Sequence, residues 1–433
     1  MTLALIDFSI GLDLFPLVAA LLAAVTCGVL GNFLVLRRLS LMGDAISHSV
    51  LPGLVIGFIV AGSRSPTAMF IGAAVAGVAT VGLVELVKSL GRVEPGAAMG
   101  VVFSVLFALG VLVLESGSAR DAHFDAECVL QGQLETLVWF SAPDSVSGLL
   151  SADTIEAVPR QVWSLAVIAV ASFAFVIVLF KELRIAAFDP ALATAQGFSA
   201  TAMHYALMIL VAAATVASFE AVGSILVIAM LVCPGATARL LADRLGGQIA
   251  WSVAIAVATA IGGYIAASVV PAAFGGEPVR AAGAMTVVGG GLLCVGLVFS
   301  PSQGFVARRL RRRRLARTVA LEDSLVLVLR AESLGRSVDR TQLAESLPGR
   351  DILAAIREGQ RTGLLELDRG TVRLTPAGRT RADDQIERNR SWSRYLVDEV
   401  GVPADHVPGT AEQLEHIRVG DSANEPSLER PSS

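Results

Sequence analysis

The sequence predicts an all-α polytopic membrane protein of about nine spans (eight possible) with a C-terminal cytoplasmic winged-helix α+β domain. Three observations predict it. Of the 433 residues, 54% are hydrophobic and 17% charged, with a mean hydropathy of +0.66, whereas soluble domains carry roughly a quarter charged residues. The charge is uneven: residues 1–300 hold 12 Lys/Arg and 18 Asp/Glu, and residues 301–433 hold 22 and 20. The apolar runs are continuous rather than alternating, so helices rather than a barrel cross the bilayer. The same composition excludes a disulfide scaffold and a disordered chain.

Apolar runs put spans near 14–36, 40–61, 66–87, 97–114, 161–180, 201–218, 221–237, 249–270 and 281–300. Each approaches the ~20 residues that cross ~30 Å of hydrocarbon. Glu220 separates the sixth from the seventh, because a carboxylate midway along one long helix is costly in lipid. A tight outer turn is expected there. Small-residue stretches such as Ala73–Gly77 suit close helix contact. No positive region precedes the first run, so it reads as a retained span rather than a cleaved signal.

Basic residues set the orientation. Arg37 and Arg38, Lys88 and Arg92, Lys181 and Arg184, Arg239 and Arg244, and the 308–317 arginine cluster fall on one side of nine alternating spans. The positive-inside rule makes that side cytoplasmic, with the N-terminus outside. Loop 115–160, with eight acidic residues against Arg120 and Arg160, is then external. Trp139, Trp163 and Trp251 read as interfacial anchors. Cys27, Cys233 and Cys294 lie in apolar runs and read as buried; Cys128, in the polar loop, is a candidate reactive thiol. The four show no metal-ligand spacing.

The sharpest feature is Gly43-Asp44-Ala45-Ile46-Ser47-His48, followed by Pro52-Gly53. Asp44 and His48 are i,i+4, so a helix puts carboxylate and imidazole on one face, where both can hold a divalent metal. His48 lies ten residues past Arg38, ~15 Å along a helix, near mid-bilayer. Pro52 removes a donor and Gly53 loosens the chain, which predicts a broken span just beyond His48, as at many transport sites. Ser47 is a secondary candidate. The competing reading has Asp44 and His48 only hydrogen-bonding another helix. Glu220, at the outer turn, reads as a gate or a solvated loop residue. His204 starts a span near the inner interface, within reach of the pathway. Glu85 reads as a surface partner of Lys88. His123, Asp125 and Glu127 form an exposed acidic loop that could meet a cation or a docking protein.

No GxxxxGK loop occurs, and Lys88 and Lys181 are the only lysines. Any ATP hydrolysis therefore belongs to another subunit. Residues 181–200 predict a short inner-surface helix, with Asp189 as cap, Pro190 in the first turn and Gly197 as exit. It could press against a motor protein or simply connect two spans.

Residues 28–53, the VVFSVLFALGVLVL stretch, HFDAECVLQGQLE (123–135), KELRIAAFDPALATAQGF (181–198) and EAVGSILVIAMLVCPGATARLL (220–241) resemble permease subunits of ABC importers for manganese, zinc and iron. The resemblance covers most of 10–300, and HFDAECVLQG looks more like the manganese/iron branch. It implies a bacterial inner-membrane permease that is not itself an enzyme and holds no resident cofactor. Its implied partners are two cytoplasmic ATPase subunits that use ATP, an external metal-binding lipoprotein and a second permease subunit. Asp44 and His48 carry over as pathway ligands, and Asp189, Pro190 and Gly197 as marks of the coupling segment. Mn²⁺ is the first expected cargo, then Fe²⁺ or Zn²⁺.

The tail divides into a basic linker over 304–319, a domain over 320–418 and a disordered segment over 419–433. Within the domain, helices at 321–334, 341–347 and 351–362, a hairpin over 364–374 and a helix over 376–397 make a winged-helix order. Residues 320–418 resemble the metal-dependent repressors related to diphtheria toxin repressor, through the LTPAG turn (374–378), SWSRYLVDEVGV and AEQLEH (411–416). That resemblance gives Asp323, Glu412, Glu415 and His416 as regulatory ligands; Val326 and Asn389 depart from its pattern. The arginine cluster faces an anionic leaflet or a nucleic acid. Residues 318–433, with 15 Arg against 20 Asp/Glu, disfavour the latter. The competing function is a membrane-bound metal sensor or receptor signalling through this domain.

Overall fold

A computed structural model describes residues 9–62, 65–115, 134–139, 158–368, 370–403 and 407. Two compact units divide at Val306 and Ala307.

The first unit contains α1 (Ile10–Leu36), α2 (Met42–Ala61), α3 (Pro66–Gly91), α4 (Pro95–Glu115), α5 (Arg160–Val178), α6 (Phe180–Phe188), α7 (Pro190–Ala195), α8 (Ala200–Val222), α9 (Ser224–Leu241), α10 (Leu245–Ala273) and α11 (Ala281–Phe299). Among the described residues, nine of these are long and apolar enough to cross a membrane; α6 and α7 are too short. Two thirds of the apolar stretch of α1 and of α8 is buried, against 22% for α4 and 17% for α11. The first two are therefore the central helices, and the last two present apolar faces outward. Backbone approach sets the packing. A Cβ added at Gly31 of α1 would collide with the Leu231 carbonyl of α9, and Gly53 and Gly72 bring α2 and α3 together in the same way.

Three expectations are corrected here. Helix α2 runs unbroken through Pro52. The missing N–H removes only the bond to the His48 carbonyl, and neighbouring helices hold the segment: a Cβ on Gly110 of α4 would strike the Pro52 ring, and Gly53 meets Gly72. Trp139 is not an interfacial anchor. It is buried, its ring stacks on Phe15 with centroids 5.2 Å apart, and its backbone N–H donates to the Gly11 carbonyl. Residues 134–139 thus fold back on α1. Of the cysteines expected to be buried, Cys27 is, but Cys294 is exposed on α11. Trp163 and Trp251 are half-exposed. Helix α8 extends to Val222, so Glu220 lies in its last turn, and the connection to α9 is one residue, Gly223, with φ +82°.

The second unit is a winged helix: α12 (Phe305–Ser333, starting just before the boundary), β1 (Val338–Asp339), α13 (Arg340–Ser346), α14 (Ile352–Arg361), β2 (Leu365–Asp368), β3 (Thr371–Leu374) and α15 (Pro376–Asp398). The antiparallel sheet has order β1-β3-β2, with Leu365 opposite Leu374. Asp339 and Gln342 form a capping box on α13, and Asp351 and Thr375 cap α14 and α15. Leu325, Val328, Leu343, Ile356, Leu365 and Val372 close the core. Helix α12 takes in the arginine run expected as a linker, since arginine is a good helix former and no breaker intervenes. Segment 419–433 lies outside the described residues.

Candidate metal pathway

Asp44 enters at the first turn of α2 and His48 follows one turn later. Their Oδ1 and Nε2 stand 3.2 Å apart, and each side chain is one-third exposed. That separation suits two ligands of one ion, whose donors sit ~2.1 Å from the metal and ~3 Å from each other. The His48 ring lies beside Phe103 (5.8 Å) and edge-on to Phe107 (6.0 Å) of α4. An apolar wall beside the pair leaves these two side chains to supply the polar contacts. One carboxylate and one imidazole fill only part of a shell of four or more. Among the described residues, no group of three or more His, Cys, Asp or Glu could hold a metal ion.

Ser47 points elsewhere: it is buried, and its hydroxyl donates to the Gly43 carbonyl at 2.8 Å. His204 and Glu220 join ion-pair groups at opposite ends of α8 rather than the Asp44–His48 pair. Arg37 Nη1 donates to Nδ1 of His204 at 3.0 Å. His204 Nε2 lies 3.6 Å from Glu85, which also pairs with Lys88 at 2.8 Å. This cluster ties the end of α1 and the end of α3 to the start of α8. At the other end, Arg160 pairs with Glu220 at 2.9 Å, donates to the Thr67 hydroxyl and lies over the Phe70 ring. Sequence reasoning took Arg37 only as an orientation marker and Arg160 only as a loop charge. Partners 167 and 60 residues away leave no local signal.

The segment around Asp189 has the local chemistry expected of it. Asp189 accepts from the Leu192 N–H at 2.9 Å, Pro190 opens α7 and Gly197 leaves it with φ +87°. The preceding helix α6 was not expected. In the second unit Asp323 is nearly buried and ion-paired with Arg350. Glu412, Glu415 and His416, like Cys128, His123, Asp125 and Glu127, lie outside the described residues.

Residues 14–139 and 142–290 match the ABC 3 transport family, and residues 375–423 match the iron dependent repressor metal binding and dimerisation domain. The manganese transport system membrane protein MntD of Bacillus subtilis is 39% identical over 290 residues, 67% of this chain and 92% of the relative. The zinc transport system membrane protein TroD of Treponema pallidum is 33% identical over 377 residues, 85% of this chain and 97% of the relative. That alignment is longer than the first unit, so it extends into the second. Among solved structures, PsaBC from Streptococcus pneumoniae in complex with Fab aligns with a TM-score of 0.53 at 27% identity, covering 70% of this chain and 96% of that one.

Proposed function

The chain belongs to the ABC 3 transport family, and from that premise we infer that its cargo is a divalent transition metal, Mn²⁺ before Fe²⁺ or Zn²⁺. It is a multi-pass permease subunit of an ABC importer, with its C-terminal unit on the cytoplasmic side. The observation that carries the cargo reading is the Asp44–His48 pair, two metal-type donors 3.2 Å apart on a helix of the membrane unit. The manganese and zinc systems of its relatives support the same class of ion.

The cycle follows from an incomplete shell. An external metal-binding lipoprotein delivers the ion to an outward-open cavity. Asp44 and His48 replace part of its hydration. Water, or the same pair from a second permease subunit, completes the coordination. Two cytoplasmic ATPase subunits supply the work through the segment capped by Asp189. Ser47, His204 and Glu220 then act on helix position rather than as ligands, since each is engaged elsewhere.

The C-terminal unit is read as a regulatory or assembly domain. The match to a metal binding and dimerisation domain supports this, while the Asp323–Arg350 pair weighs against Asp323 as a ligand.

The test is uptake of Mn²⁺, Fe²⁺ and Zn²⁺ into vesicles holding the chain with its ATPase and lipoprotein partners. Mn²⁺ uptake that needs ATP and both side chains is expected. Unchanged uptake after Asp44→Ala and His48→Ala in an assembled complex would remove the pair from the mechanism.

A further inference from the structure

Seven arginines fall between Arg308 and Arg317, and every one is exposed. Helix α12 buries no residue before Ala320, so no packed face supports these turns. Arg308 and Arg312, Arg309 and Arg313, and Arg313 and Arg317 are like charges one turn apart, which destabilises a helix. The helix dipole adds to the cost, because its positive end faces the same arginines. Four of the unit's carboxylates pair with other arginines, Asp323 with Arg350, Glu322 with Arg381, Glu332 with Arg379 and Glu358 with Arg361, and Glu358 also feels the charge of Arg317. Seven like charges on turns with no buried face call for an external polyanion.

The tether decides which polyanion. Nine residues of chain lead from Phe299, the last of α11, to Arg308, a reach of at most ~30 Å. The hydroxyls of Ser300 and Ser302 both donate to the Leu240 carbonyl and fix where the chain leaves the last span. The cluster therefore cannot leave the neighbourhood of the inner-leaflet surface. Arg313 and Arg317 also wall a groove of about 550 Å³ with Gly349 and Asp351, room enough for a phosphoglycerol headgroup.

We propose that residues 308–317 form a binding surface for the headgroups of anionic phospholipids in the inner leaflet. Basic side chains beside a membrane gain from its negative surface potential within a Debye length. The proposal rests on the cytoplasmic placement of the C-terminal unit and not on the identity of the cargo.

Amide hydrogen exchange of the full chain in nanodiscs tests it. Exchange across 306–317 should slow about tenfold when phosphatidylglycerol is added to phosphatidylcholine, and the protection should fade at about 0.5 M salt. The combined Arg308→Gln, Arg309→Gln, Arg312→Gln and Arg313→Gln variant should lose the protection, and the matching lysine variant should keep it. Unaltered exchange across α14 in both variants shows that the unit is folded. Equal exchange in the two lipid mixtures would overturn the proposal. So would protection reproduced in phosphatidylcholine by millimolar glycerol phosphate, or by duplex DNA. None of these readouts depends on metal uptake, so failure here is separable from failure of the transport reading.

Discussion

Gly53 and Gly72 meet backbone to backbone, such that a Cβ on either would fall onto the other's carbonyl oxygen. The contact locks α2 to α3 little more than one turn beyond His48 and so fixes the height of the Asp44–His48 pair. Gly53→Ala should therefore cost about 1–3 kcal/mol of overpacking and abolish most uptake with Asp44 and His48 intact. Gly100→Ala, in open space, should leave both unchanged. Thermal melts and uptake on the same preparations check this.

Asp44→Ala and His48→Ala should each lower metal affinity or uptake about 10–100-fold without loss of assembled complex. Ser47→Ala should stay within about twofold, because its hydroxyl is already spent on the Gly43 carbonyl. A Ser47 effect as large as that of His48 would return it to the coordination shell.

The Arg160–Glu220 pair joins α5 to the end of α8. Removing one partner strands a half-buried charge, so Arg160→Ala should destabilise by about 1–3 kcal/mol, discounted for partial exposure. Adding Glu220→Ala should recover part of that loss. Melting temperatures of the two single variants and the double variant close the cycle.

Asp189→Ala removes the cap of α7 and should cost about 1 kcal/mol locally. The expected outcome is metal-stimulated ATP hydrolysis reduced severalfold with metal binding intact. Equal loss of both would point to misfolding instead of lost coupling.

Asp323→Asn breaks a nearly buried ion pair with Arg350. It should lower the melting temperature of the C-terminal unit and leave any Mn²⁺ heat measured by calorimetry unchanged.

The spans were legible because burial in lipid writes itself as continuous apolar runs, and boundaries such as Ala61 and Ala281 need only local information. The winged-helix order was legible for a related reason: Asp339, Asp351 and Thr375 announce helix starts three residues ahead of the N–H groups they satisfy. Pro52 was misread because sequence displays a missing donor but not the Gly110 and Gly72 backbones that brace the helix around it. The companions of His204 and Glu220 were hidden for another reason, since ion pairs between distant spans leave no periodicity. Trp139 looked like an anchor until its loop was seen lying on Phe15. The Asp44–His48 juxtaposition was readable from spacing alone; the phenylalanines beside it, on a different helix, were not.

The single-residue joint at Gly223 has a mechanical corollary. With φ at +82° and no spare chain on either side, α8 and α9 cannot slide past each other. They must swing as the two arms of one bracket. Any movement of one arm has to carry the other, and the Arg160–Glu220 rivet sits close to their elbow.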